Sequence, residues 1–200
     1  MVKANLHTLC YWLMFGLAAF SVHAQTRTYT VEVLGSKVGE LSVTREVNGK
    51  VVRYTTVSDA EVDYWLGSTV AQYRSTVLVV DGKVTSVSAR TVRDGETERF
   101  TRLHEEQGRC VSETKKGKTV IPECPAYCVA MMFFSPPKGL KTIFSEDFGT
   151  MVQVGPDAHQ VYVVSLPDGK RNRYRYNEGG MVELISGSAL GKAVLTLKEP

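Results

Sequence analysis

Glycine-containing turn signals recur at short intervals along this chain: Asn48-Gly49, Asp81-Gly82, Asp94-Gly95, Lys116-Gly117, Asp168-Gly169 and Gly179-Gly180, with Gly35 and Gly39 ahead of them. Asn-Gly and Asp-Gly suit two-residue hairpin loops, because both central residues of a type I′ turn need positive φ. The stretches between them are rich in β-branched and aromatic residues. Strands are therefore expected near 27–34, 40–48, 50–65, 69–81, 83–94, 96–105, 109–114, 118–122, 149–155, 159–166, 171–177, 181–186 and 192–198. Several alternate with a period of two. Tyr29, Val31 and Val33 fall on one face, with Thr28, Thr30 and Glu32 on the other. Leu41, Val43 and Val47 likewise oppose Ser42, Thr44 and Glu46. Half-buried antiparallel strands have this pattern, with one face on a core and one in water.

One segment breaks the pattern. Pro125 suits a first helical turn, the apolar run Val129–Phe134 follows, and Pro136-Pro137 stops it. A short, buried helix over 124–134 is expected; a fully buried six-residue strand is the alternative. No linker-like composition divides the chain and no fixed repeat period appears. The expected fold is all-β: a single domain over 25–200, made of a strongly twisted antiparallel sheet. That sheet forms a half-open barrel with one short helix against its inner face.

Residues 1–24 read as a secretory signal peptide. Lys3 precedes an apolar run from Leu9 to Phe20, too short to span a bilayer. Val22 and Ala24 are small enough for the −3 and −1 positions of a cut before Gln25. A periplasmic or extracellular location follows, with no transmembrane segment in the mature chain. The composition is 43% hydrophobic and 22% charged, which suits a globular protein. The formal net charge is only +3 and no nucleic-acid motif is present, so nucleic acid is not an expected partner.

Export makes a disulfide the default use of Cys110, Cys124 and Cys128. With Lys116-Gly117 at a hairpin tip, a Lys115–Lys118 pair brings Cys110 opposite Glu123. A three-residue turn brings it opposite Cys124 itself. Cys110–Cys124 is the expected bridge and Cys110–Cys128 the second choice. Cys124 and Cys128 are separated by three residues, which is not the redox C-x-x-C spacing. His104 with the three cysteines offers zinc-ligand types without a zinc spacing, so no metal and no cofactor is expected.

Catalytic signatures are missing. There is no G-x-S-x-G and no H-E-x-x-H, and the P-loop-like Gly117-Lys118-Thr119 lacks its first glycine. His104 and His159 have no local catalytic context. Asp59, Glu61 and Asp63 share a strand face and suit either a cation or a solvated surface. With Leu66-Gly67 as the turn, Asp59 lies opposite Arg74. Arg171, Arg173 and Arg175 form a basic row able to meet phosphate or carboxylate groups, and Trp65 at a strand end suits a pocket rim.

The blocks Tyr29-Thr-Val-Glu-Val-Leu-Gly35, Lys37-Val-Gly-Glu-Leu41, Ser58-Asp-Ala-Glu-Val62 and Tyr64-Trp-Leu-Gly67 resemble a family of exported bacterial proteins of unknown function. Met132-Phe-Phe-Ser-Pro-Pro137, Ile143-Phe-Ser-Glu146 and Gly149 are similar to the same family. The resemblance implies a half-open barrel like those of lipoprotein carriers, with a concave apolar face, and transfers no catalytic residue. The expected function is therefore a non-catalytic binding or carrier role for a lipid or other apolar ligand, with Trp65, Arg171, Arg173 and Arg175 as candidate contacts. The alternative is a cell-envelope interaction or structural module without a small-molecule ligand.

Overall fold

Fourteen strands form one continuous sheet in the computed structural model, which describes residues 23–64, 67–188 and 191–198. The first meander comprises β1 (His23–Val33), β2 (Ser36–Asn48), β3 (Val51–Tyr64), β4 (Gly67–Val80), β5 (Lys83–Arg93), β6 (Glu96–Glu106), β7 (Arg109–Thr114) and β8 (Gly117–Ile121). A connector carrying α1 (Val129–Met132) leads to the second meander. That one comprises β9 (Thr142–Ser145), β10 (Thr150–Ala158), β11 (Val161–Ser165), β12 (Arg171–Asn177), β13 (Gly180–Ser188) and β14 (Gly191–Leu197). Every ladder between these strands is antiparallel.

The two meanders join at β1 and β14, paired from Tyr29–Leu197 to Val33–Ala193. This puts β8 at one edge of the sheet and β9 at the other, so the connector must travel from edge to edge. It does so over the concave face, the inner surface of a half-open barrel. Phe133 packs edge-on against Tyr29 at 5.4 Å and Phe134 lies 5.7 Å from Tyr54. Met132 and Phe133 sit in one core with Tyr29, Val43 and Tyr174. Ala130 and Cys128 sit in a second with Val77, Val87 and Leu103.

The period-two expectation is met at Tyr29, Val31 and Val33, all buried. The helix is shorter than the sequence suggests. Residues 124–128 are taken by extended pairing instead: Val84 N–H donates to Pro125 O (2.7 Å), Phe144 N–H donates to Tyr127 O (2.9 Å), and Cys128 bridges Phe144 in parallel. These tertiary bonds leave one helical turn, closed as Phe134 and Ser135 N–H donate to Met131 O. Strand β9 escapes sequence reading because four residues are too few to show a period. The expected 1–24 boundary falls two residues inside β1, and residues 1–22 lie outside the described residues.

The sheet does not close by a ladder. The β9–β10 turn reaches across to β5, β6 and β7 instead. Asp147 accepts from Thr91 Oγ1 at 2.6 Å and pairs with Arg99 at 3.0 Å, and Ser112 Oγ donates to Gly149 O at 2.7 Å. Arg99 also stacks over the Phe148 ring at 4.9 Å. The fit is tight at Gly149, where φ is +65° and an added Cβ would lie 2.4 Å from Thr114 Cγ2.

A disulfide joins Cys110 to Cys124 and ties the connector to β7. Its geometry differs from simple cross-strand pairing. Thr114 pairs with Gly117, which places Cys110 opposite Ile121. Cys124 reaches back from beyond the end of β8, once Pro122-Glu123 has turned the chain inward. Cys128 is a free, buried thiol.

Three outcomes are expected in urea unfolding. Gly149→Ala should cost roughly 2–4 kcal/mol, from its positive φ and the collision with β7. Gly95→Ala, at φ +83° with nothing within 4 Å of its Cβ, should cost only about 1 kcal/mol. Reducing Cys110–Cys124, which closes a loop of 14 residues, should lower stability by about 3 kcal/mol.

Candidate functional site

The connector fills only part of the concave face. Beside it remains a cavity of about 390 Å³, within the size range of small-molecule sites. One wall comes from the first meander, through Leu41 of β2, Thr56 of β3, and Tyr73 and Ser75 of β4. The opposite wall comes from the second meander, through Leu166, Asn172 and Tyr174, and Leu184 and Ser186 of β13. Val129, Ala130 and Phe133 of the connector and the turn from Ser145 to Phe148 complete it. The alternation of each strand explains the inward residues: Tyr73 and Ser75 share a face with buried Val77 and Val79, and Asn172 shares one with buried Tyr174 and Tyr176.

Glu146 is the chemically distinctive residue of the lining. Its side chain is buried, at 2% exposure, and acts as a cap for α1. Oε1 accepts from Ala130 N–H at 2.7 Å and Oε2 from Val129 N–H at 3.2 Å. The Cys128 thiol hydrogen-bonds the same carboxylate. Burial raises the Glu146 pKa above the ordinary carboxylate value despite these bonds. Desolvation also raises the Cys128 thiol far above its usual range, and the nearby Glu146 charge pushes it further. The Tyr73 hydroxyl is raised by the same two causes in the same order.

The cations on the lining all have acid partners. Arg93 meets Glu98 at 3.2 Å, Arg99 meets Asp147 at 3.0 Å, and Lys170 meets Asp168 at 3.4 Å. These pairs are partly exposed. With Leu166 and Phe148 they line the cavity around its apolar and hydroxyl-bearing walls.

A family model described as a domain of unknown function, DUF6134, matches residues 29–198. The chain belongs to this family. The match runs from within β1 to the residue after β14, so both meanders and the connector are part of the DUF6134 domain. No curated protein and no solved structure gives a significant match.

The residues singled out from sequence lie elsewhere on the DUF6134 domain. Arg171, Arg173 and Arg175 form one row, as their spacing implies, on the outward face of β12. Arg173 pairs with Asp157 at 2.7 Å and Arg175 with Glu183 at 3.2 Å. Arg171 lines a more open outer recess of about 490 Å³ with Gln153, Pro156 and Asp157. Trp65 lies outside the described residues. Asp59, Glu61 and Asp63 are exposed along β3. Because Tyr64 pairs with Gly67, Asp59 faces Gln72 rather than Arg74, yet Arg74 reaches it diagonally at 2.7 Å. His104 is exposed and lies 3.9 Å from Glu106, and His159 is exposed in the β10–β11 turn.

Sequence reading missed Ser75, Asn172 and Glu146. The first two carried a usable signal, a polar residue on an otherwise apolar or aromatic inward face. Glu146 carried none, since its burial depends on the connector passing over it. Among the described residues no group of three His, Cys, Asp or Glu side chains is placed to hold a metal, and no helix is long and apolar enough to cross a membrane.

The buried carboxyl yields a signed pH dependence. A raised native pKa means that the folded state holds the Glu146 proton more tightly than the unfolded chain. Its contribution is fully present below the unfolded value and declines as pH rises through the native one. The stability of the native protein relative to Glu146→Gln should therefore fall as pH rises above the ordinary carboxylate range in paired urea titrations. A flat difference would show that Glu146 is not titrating against burial.

Proposed function

We propose that this DUF6134 protein is a non-catalytic binding or carrier protein for a lipid or other apolar small molecule, exported to a bacterial periplasm or cell surface. The cavity of about 390 Å³ beside α1 carries the reading. Water held against Leu41, Phe133, Leu166 and Leu184 is poorly hydrogen-bonded, so an apolar ligand gains by replacing it. The cavity also lies between the two meanders, where a small separation of the walls would admit a chain without unfolding any strand.

Several observations agree with this reading. Both sequence-noted histidines stand on exposed surface, away from the cavity. Two polar groups of the lining, Glu146 and the Tyr73 hydroxyl, are pushed toward their neutral forms by burial, which suits a wall for an apolar ligand. The leader expected over residues 1–24 and the Cys110–Cys124 bridge are both compatible with an oxidising compartment.

The deciding measurement is a native mass spectrum of protein recovered gently from an exporting host. The expected result is a mass that begins at Gln25 and carries an adduct lost on denaturation and identified as a lipid. A bare mass, unchanged after incubation with envelope lipids, would overturn the carrier reading. A mass retaining residues 1–24 would overturn the export reading.

A further inference from the structure

We infer that the cavity recognises an uncharged amphiphile, whose hydroxyl or carbonyl group is held at the Ser75 end while its hydrocarbon lies along Leu41, Leu184 and Phe133. This rests on the carrier reading above and specifies the ligand's chemistry.

Ser75 is the first observation. It is only 4% exposed, it lines the cavity, and its Oγ has no hydrogen-bond partner. The Tyr73 hydroxyl, on the same strand face, interacts with Ser75 but does not complete a hydrogen bond to its Oγ. Buried hydroxyls in native proteins are almost always satisfied, so an orphan that faces an internal space marks where a ligand atom belongs.

The surrounding register makes room for that atom. Thr56 pairs with Ser75, Ser75 with Ala89, Ala89 with Thr101, and Thr101 with Thr114. Five adjacent strands thus carry a small residue at one level of the inner face. Toward β7 this shallow row is occupied by Gly149 of the β9–β10 turn. Toward β3 and β4 it borders the cavity, where Thr56 and Ser75 form the lining.

Charge selects the head group. Arg93, Arg99 and Lys170 are the cations of the lining, and each is engaged by a carboxylate. Glu146 adds a fourth acid with no cationic partner. A carboxylate or phosphate on the ligand would meet no free cation among these lining residues. A hydroxyl or carbonyl meets a serine able to donate and to accept. The outward row of Arg171, Arg173 and Arg175 offers this cavity no charge.

Matched probes test the inference: 1-octanol and octanoate, titrated by calorimetry at about pH 8 into the native protein and Ser75→Ala. Octanol should bind roughly tenfold or more tightly than octanoate, since the anion is desolvated without a partner. Ser75→Ala should weaken octanol about three- to tenfold while leaving the urea midpoint unchanged or higher, because it deletes an unsatisfied hydroxyl. Octanoate binding as well as octanol would overturn the head-group assignment and leave the carrier reading standing. Equal octanol affinity in native and variant protein would remove Ser75 from the site with the same consequence. Failure of both probes, together with a bare native mass, would overturn the carrier reading itself.

Discussion

The ladder between β1 and β14 decides the architecture. Two meanders of neighbour-to-neighbour hairpins could have formed two separate sheets. Pairing their outermost strands in sequence fuses them, and sends β8 and β9 to opposite edges. The chain between those edges then has one short route, across the concave face. The buried helix, the disulfide that ties its approach to β7, and the Glu146 cap all follow from that crossing. The cavity is what the crossing leaves uncovered.

A crossing segment held at several points behaves differently from a plug. Cys124 fixes it covalently, Pro125 and Tyr127 accept backbone hydrogen bonds from β5 and β9, and Glu146 receives the two amides that open α1. The turn beyond β9 is in turn latched to the first meander through Asp147 and Ser112. On the side away from the β1–β14 ladder, the two walls are therefore connected by polar side chains rather than by backbone pairing. Such contacts hold a shape while remaining separable one at a time, which a closed barrel does not permit.

Local chemistry explains what sequence could reveal. Hairpin positions follow from dipeptides such as Asp81-Gly82 and Asp94-Gly95, where positive φ is needed and present. Burial of Tyr29, Val31 and Val33 follows from alternation. The connector resists this approach because Pro125, Tyr127 and Cys128 answer to partners on β5 and β9 and not to their neighbours. The site is harder still. Arg171, Arg173 and Arg175 attract notice because charge in a row is conspicuous, yet they point outward. Ser75 is a small hydroxyl between Tyr73 and Val77 on the inward face of β4, and it becomes meaningful only when its lack of a partner is seen in three dimensions.

The central ladder also has a temporal side. During synthesis, β1 through β8 can pair in order as they emerge, each with the strand just made. The second edge of β1 must wait for β14, which is among the last segments to appear. Until then the strand destined for the middle of the sheet is an open template for any other extended chain, and its long-range partner makes closure slow. A chain held extended by export machinery and released whole would present β1 and β14 together. For a sheet ordered this way, delivery of the full-length chain at once shortens the interval in which its centre is an edge.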